Sequence, residues 1–352
     1  MSELGDIVRR QISLSGPINI ADYMTLCLQH PQHGYYITRD PFGAAGDFTT
    51  APEISQIFGE MIGLALAQIW QDQGGGEMVL AEAGPGRGTL MADILHATAR
   101  VPGFHSAIQV HLVETSPVLR TRQREALHPR PVTWHDSVGD LPDGPVLFVA
   151  NEFFDALPIR QFVRQGRGWA ERAVGLQDGA LSFGLLPAST QPVLDDLFAG
   201  VPEGTLVEWC PAAAPILHDI AARVRQGGAA LILDYGARDG TGDTLQALRA
   251  QAPVNPLATP GEADLTAHVN FGHLIRAAGL PHGIEDQGAF LELLGITARA
   301  QQLARHHTGI AAAHRRLTHP QEMGTLFKVL GLSAHAPLPG FRNFTTKGVQ
   351  VR

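Results

Sequence analysis

Three observations predict an α/β protein built on a doubly wound, Rossmann-like parallel sheet, with an N-terminal helical region and inserted accessory segments. From Met78 onward, short apolar runs alternate with segments of helical period. The first run enters a glycine-rich turn, VLAEAGPGRG at 79–88, where a strand passes into a helix. Acidic residues close successive strands, as Glu114, Asp136 and Glu152 do.

Taken in order, NIADYMTLCLQHP reads as a short helix capped by Asn19, with Asp22 three residues on and a stop before Pro31. A second helix carries Ile54, Phe58, Met61, Ile62, Ala65, Leu66 and Ile69 at helical spacing and ends at Gly74, Gly75 and Gly76. The alternation that follows gives a strand over 78–83, a helix near 90–99, a strand over 109–114 and a helix near 117–127. Strands over 132–134 and 146–150 come next, the latter a continuous apolar run of the kind covered on both faces. Two alternating stretches, 161–164 and 169–176, are separated by glycines and predict an inserted meander.

A helix near 213–225, stopped by Gly227 and Gly228, leads into the strand AALILDYG from Ala229. Residues 237–268, rich in Gly, Pro and Thr, read as a long loop of the lid or substrate-binding kind. A helix over 271–278, a strand over 281–287, helices to about Leu317 and a strand over 326–332 complete the sheet. The expected organisation is an N-terminal helical region, 1–75, contributing to the active-site cover, and a core, 76–352, with insertions at about 159–208, 237–270 and 288–322.

Composition excludes several classes. With 34 acids against 26 Lys and Arg, the formal charge of -8 opposes a nucleic-acid partner and suits a basic one. No run approaches the roughly 18 apolar residues of a membrane span. Cys27 and Cys210, far apart and without CxxC spacing, fit a reducing compartment and exclude a cysteine zinc site. The first residues show neither a signal core nor transit-peptide character, so a cytoplasmic protein is expected. The sixteen His form no HExxH pattern, so no metal is expected; GxSxG and Walker motifs are also missing.

The turn is specific. Glycines stand at 84, 86 and 88, while position 89 is Thr, which departs from the dinucleotide fingerprint GxGxxG. Glu82 precedes the glycines as well, which favours S-adenosylmethionine (SAM) over NAD. Gly84, Pro85, Gly86 and Gly88 would let turn amides meet the carboxylate of the aminoacyl group, and Glu82 would steady its ammonium, directly or through water. Glu114, 32 residues after Glu82, is placed to accept the ribose hydroxyls, and Asp136 the adenine amino group.

In doubly wound sheets ligands lie beyond the carboxyl ends of the strands, so Asn151, Glu152, Phe153, Phe154 and Asp155 should face the transferable methyl. For a guanidinium acceptor, Glu152 and Asp155 could hold the fork, stabilise positive charge and help remove a proton. Either acid alone could equally cap a turn, as Asn151 could. Thr50, Ala51, Pro52 and Glu53 fit a TxxE capping box, yet Glu53 stands with Asn151, Glu152 and Asp155 as a catalytic candidate, because Gly46, Asp47 and Phe48 before it form a polar loop that could close over the cofactor. Asp234 and Tyr235, at the end of the fifth strand, are further pocket candidates.

Together these segments resemble the MidA-like methyltransferases, whose mitochondrial members assist assembly of respiratory complex I. The resemblance spans most of the chain and rests on GDFTTAPEISQIFGE (46–60), EAGPGRGTLMADIL (82–95), VANEFFDALPIRQF (149–162), LILDYG (231–236), ADLTAHVNF (263–271) and MGTLFKVL (323–330). The glycine motif is common to many methyltransferases, whereas GDFTTAPEISQ and NEFFDALP together are close to family-specific. Asn270 departs from the expected HVDF, which puts an acidic role there in doubt. The resemblance implies a class I methyltransferase fold, SAM as donor and a protein arginine as acceptor, on a complex I subunit; a homodimer is compatible with it. Two other readings share the fold: methylation of a small molecule, and a non-catalytic assembly chaperone.

Overall fold

The computed structural model describes residues 2–38, 49–335 and 337–345. It divides into two compact units interleaved along the chain: Met1–Phe48, Asp155–Ala213 and Ala237–His273 form the smaller, and Thr49–Phe154, Ala214–Gly236 and Leu274–Arg352 the larger.

The larger unit opens with a one-turn helix, α1 (Ala51–Ile54), and a long one, α2 (Gln56–Asp72). Then come β1 (Met78–Ala83), α3 (Thr89–Thr98), β2 (Ile108–Val113), α4 (Pro117–Leu127), β3 (Val132–His135) and β4 (Val146–Asn151). After the interruption the chain returns as α5 (Ala213–Val224), β5 (Gly228–Ala237), β6 (His282–Asp286) and β7 (Phe327–Leu332). The strands lie in the order β6-β7-β5-β4-β1-β2-β3. From β3 to β5 all neighbours are parallel, while β7 pairs antiparallel with both β5 and β6. The expected all-parallel sheet is thus corrected at one strand: β7 inserts between β5 and the edge strand β6 and runs antiparallel to both.

Every residue of β4 is buried, and in β5 only the last is exposed, because helices cover both faces and alternation has no solvent side to report. Leu80, Leu147, Val149, Leu231 and Leu233 share one core with Phe58, Ile62 and Leu66 of α2 and Met91 and Ile94 of α3. Gly228 is obligatory at the start of β5, since a Cβ there would stand 2.0 Å from the Val146 carbonyl oxygen.

The smaller unit carries an antiparallel sheet ordered Ile18–Asn19, Gly168–Gln177, Arg160–Gln165, Leu206–Trp209, with Ala180–Leu185 also paired to Gly168–Gln177. The meander is as expected, with more strands than the two stretches suggested. Helix Ile20–Gln29 is capped by the Asn19 side chain accepting from the Asp22 amide, as its sequence implies. Helix Glu3–Ser15, capped by Ser2, escaped the sequence reading although Leu4, Val8 and Ile12 supply its buried stripe. The long loop expected over 237–268 is corrected: Gln246–Arg249 lies between Ala252–Val254 and Asp264–Thr266 in a three-stranded sheet, Ala247 and Leu265 turned into the core.

Candidate active site

The strand order reverses direction between β1 and β4, and their carboxyl ends lie side by side, with Ala83 opposite Ala150. Such a switch point leaves a crevice because the helices following the two strands pack on opposite faces. The glycine turn leaves β1 there and the NEFF segment leaves β4.

Gly84, Gly86 and Gly88 all take left-handed backbone, with φ of 63°, 53° and 86°. A side chain at Gly84 would also press on Phe153, 3.0 Å from its ring. The turn is therefore a cradle of bare backbone, closed by helix α3, whose first amides point toward it. Glu82 lies buried in β1 just before the turn. Burial pushes its carboxyl up to about 8, against the lowering effect of a hydrogen bond from the Met91 amide. Its Oε2 has no hydrogen-bond partner among the described residues. A buried carboxylate oxygen left over beside a backbone cradle fits the ammonium and carboxylate of an amino-acid group.

At the end of β2, the Glu114 carboxylate accepts from the Ser116 amide at 2.8 Å and from Gln123 Nε2 at 3.3 Å, and burial raises its proton affinity. Gln123, fully buried on α4, was missed by the sequence reading. Its Nε2 also donates to the Gly86 carbonyl at 2.7 Å, and its Oε1 accepts from the Trp134 indole at 2.8 Å. One side chain thereby ties the turn, the β2 acid and β3 together. Arg120, also missed, donates to the carbonyls of Glu114 and His135 and to the Asp136 carboxylate at 2.6 Å. Asp136 is largely exposed beyond β3 and held by this arginine.

At the end of β4, Asn151 is buried and Glu152 adopts φ 50°, a left-handed conformation that costs a non-glycine residue about 1–2 kcal/mol. The Glu152 amide donates to the Leu233 carbonyl, and its Oε1 accepts from the Ala51 amide at 3.1 Å and from Asn151 Nδ2 at 3.3 Å. Backbone strain of this kind persists only where the surrounding structure over-determines it, and such positions cluster at active sites. Phe153 packs edge-on against Phe154, whose amide donates to Asp234 Oδ2 at 3.0 Å. Asp234 also accepts from the Tyr235 amide, so it latches the tips of β4 and β5.

Glu53 does not form the expected capping box. Thr50 makes no side-chain cap, and the Glu53 carboxylate instead accepts from the Thr89 hydroxyl at 2.6 Å and lies 3.8 Å from Arg87. The tertiary partner on the turn wins over the local one. Gly46, Asp47 and Phe48 lie outside the described residues. Asp155 belongs to the smaller unit, where it is buried and its carbonyl accepts from the Ala267 amide. Asn270 caps helix Phe271–Ala278 by accepting from the His273 amide at 3.0 Å, a task that needs no charge. Among the described residues no three His, Cys, Asp or Glu gather as metal ligands, and no helix is long and apolar enough to cross a membrane.

Comparison with known proteins agrees with this geometry. Residues 61–289 match the family model described as "Putative S-adenosyl-L-methionine-dependent methyltransferase". The chain is 37% identical to the mitochondrial protein arginine methyltransferase NDUFAF7 of Danio rerio, over 90% of this chain and 84% of the relative. It is 34% identical to the NDUFAF7 protein of Homo sapiens, also named mitochondrial, over 94% of this chain and 83% of that one. A protein of Burkholderia thailandensis crystallised with S-adenosyl-homocysteine superposes with a TM-score of 0.83 at 31% identity, covering 97% of this chain and 95% of that chain. The chain therefore belongs to the MidA-like family of class I, SAM-dependent methyltransferases, and SAM is its cofactor.

Proposed function

We propose that this enzyme methylates an arginine of a protein, a subunit of respiratory complex I, and so supports assembly of that complex. The observation that carries this reading is Glu152: a carboxylate fixed on strained backbone at the switch point, in a chain more than a third identical to a named protein arginine methyltransferase. Residues 1–75 and the insertions would supply cover and acceptor-binding surface.

When bound, SAM presents an electrophilic methyl on a sulfonium. The 84–88 turn would hold its carboxylate through the Gly86 and Arg87 amides, the Gly84 and Gly88 amides being engaged by the Val113 and Pro85 carbonyls, with Glu82 on its ammonium, Glu114 on its ribose and Asp136 on its adenine; Gly46, Asp47 and Phe48 would cover it. Glu152, pinned by the Ala51 amide, would receive the guanidinium fork and aim one nitrogen for in-line attack. Asn151 would hold that carboxylate in register, Asp155 would add a second acceptor, and Glu53 would fix the turn through Thr89. A methylated guanidinium nitrogen carries one proton fewer than the nitrogen it came from, and Glu152 would accept that proton. The Phe153 and Phe154 rings beside it would exclude water, which would strengthen these contacts.

The compartment follows from the partner: cytoplasm where the respiratory complex assembles at the cell membrane, or mitochondrial matrix for a processed organellar form. The test is mass spectrometry of complex I subunits with and without this gene. The reading expects mass increments of one or two methyl groups on an arginine that vanish with the gene; unchanged subunits would reject it.

A further inference from the structure

A pair of histidines in the larger unit lies outside the residues that would touch cofactor or acceptor. His111 of β2 and His135 of β3 stand diagonally across parallel strands, since His111 pairs with Thr133 and Val113 with His135. Val110, Leu112, Val132 and Trp134 pack in the core with α2 and α3, so alternation sends both imidazoles to the opposite face of the sheet. There His111 Nδ1 lies 2.8 Å from His135 Nε2, and the two ring planes are 16° apart. His111 is buried and His135 half-buried.

Two histidines in contact can simply fill a sheet face, but the groups tied to His135 give this contact a further consequence. The His135 carbonyl accepts from the Glu114 amide at 3.0 Å and from Arg120 at 3.0 Å. The same arginine holds the carboxylate of the next residue, Asp136, at 2.6 Å. The acid assigned to the ribose and the acid assigned to the adenine are therefore both fastened at residue 135, whose ring is steadied by His111. The charges acting on that ring come from Asp140 in the turn after β3, Arg120 of α4, Asp136, and Arg223 of α5. Arg223 is clamped on the carbonyls of Gly139 and Pro142, with Asp143 4.0 Å away, and Asp219 of the same helix lies beside Gly139.

A hydrogen bond between two imidazoles needs one proton between the facing nitrogens. Burial holds both rings below their ordinary 6.5; the neighbouring His135 lowers His111 further, while at His135 Arg120 and Arg223 act with burial and Asp140 and Asp136 against it. The neutral pair is thus the form that the folded chain favours. Below pH 6.5 the pair gains positive charge beside Arg120, and that repulsion loosens the arginine's hold on the His135 carbonyl and on Asp136.

We propose that His111 is a positioning residue for cofactor binding: through His135 it sets the spacing of the Glu114 and Asp136 carboxylates, and a proton taken up by the pair releases that spacing. The proposal rests on Glu114 holding the ribose and Asp136 the adenine, and it deepens that reading by naming what holds the two acids in register.

The probe is 5′-methylthioadenosine, which presents ribose and adenine without the amino-acid group, so that Glu82 does not enter. Its affinity for the full chain is measured by saturation-transfer NMR at pH 7.5 and pH 5.5. The wild type should bind about threefold or more weakly at the lower pH. His135→Gln, whose amide stands in for Nε2 and takes up no proton, should bind equally at the two pH values. Glu114 also gains protons in acid, and it does so in both proteins, so an acid loss carried by Glu114 would persist in His135→Gln. At pH 7.5 His111→Ala should bind about threefold or more weakly than wild type, and His111→Asn, which restores an acceptor near Nδ1, should recover most of that affinity. Where His111→Ala loses its native circular dichroism spectrum, the pH profile of His135→Gln decides. Equal wild-type binding at both pH values, an acid loss that persists in His135→Gln, or a folded His111→Ala that binds as the wild type does overturns the proposal. Failure of the underlying assignments looks different: Glu114→Gln and Asp136→Asn would then bind the probe as tightly as the wild type.

Discussion

Replacing Glu82 with Gln gives a sharp test of the cofactor cradle, because it keeps the shape of the side chain and removes its ability to ionise. In the folded protein burial lifts the carboxyl from its ordinary 4.5 to about 8. The native state therefore keeps a proton that the unfolded chain releases between those values. Stability contributed by this group is fully present below about pH 4.5 and is lost progressively as pH rises to about 8. At about 1.4 kcal/mol for each tenfold change in proton affinity, the full span corresponds to about 5 kcal/mol, and local relaxation reduces what is measured to about 2–5 kcal/mol. Urea unfolding of ligand-free protein at pH 5 and pH 8 should show this loss in the wild type and not in Glu82→Gln. Binding adds a second signature. The ammonium of the cofactor favours the ionised carboxylate, so at pH 7 the wild type should release close to one proton on taking up S-adenosyl-homocysteine. Calorimetry in two buffers of different ionisation enthalpy measures that release, which Glu82→Gln should lack. Equal pH slopes and equal proton release in the two proteins would refute this role for Glu82.

Other perturbations follow from the same geometry. Gly86→Val forces a β-branched residue to φ 53° and should weaken S-adenosyl-homocysteine binding at least a hundredfold by calorimetry, while the far-UV circular dichroism stays native. Glu152→Gln should retain cofactor affinity and lose most turnover, read as kcat with methyl-tritiated SAM and a protein acceptor; wild-type kcat would discard its role. Gln123→Ala leaves the Glu114 carboxylate, the Gly86 carbonyl and the Trp134 indole without their shared partner. It should cost about 2–4 kcal/mol in urea unfolding and weaken cofactor binding.

How much was legible in the sequence depended on whether a local pattern decided the outcome. The strand 78–83 and the helices 117–127 and 271–278 fall where their glycines, prolines and apolar periods place them. The glycine turn was readable because positive φ at three alternate positions leaves few other residues possible. Glu53 was misread because T-A-P-E satisfies a local capping rule, and only the folded chain brings Thr89 within reach of its carboxylate. Gln123 gave no signal: a single polar residue on the buried face of α4 looks like a break in the pattern until its three partners arrive from β2, β3 and the turn. The strain at Glu152 was equally silent, since nothing in a glutamate side chain asks for a positive φ. The segment 237–268 hid its strands because each has only three or four residues, one of them holding Pro253, too short for alternation to register.

The most direct test is a crystal structure of the full chain grown with S-adenosyl-homocysteine. The account predicts density for the amino-acid moiety in the 84–88 turn, its carboxylate on the Gly86 and Arg87 amides, its ammonium within hydrogen-bond reach of Glu82 directly or through one water, and its ribose hydroxyls on Glu114. Density elsewhere, or a turn closed by its own side chains with the ligand present at saturating concentration, would contradict it.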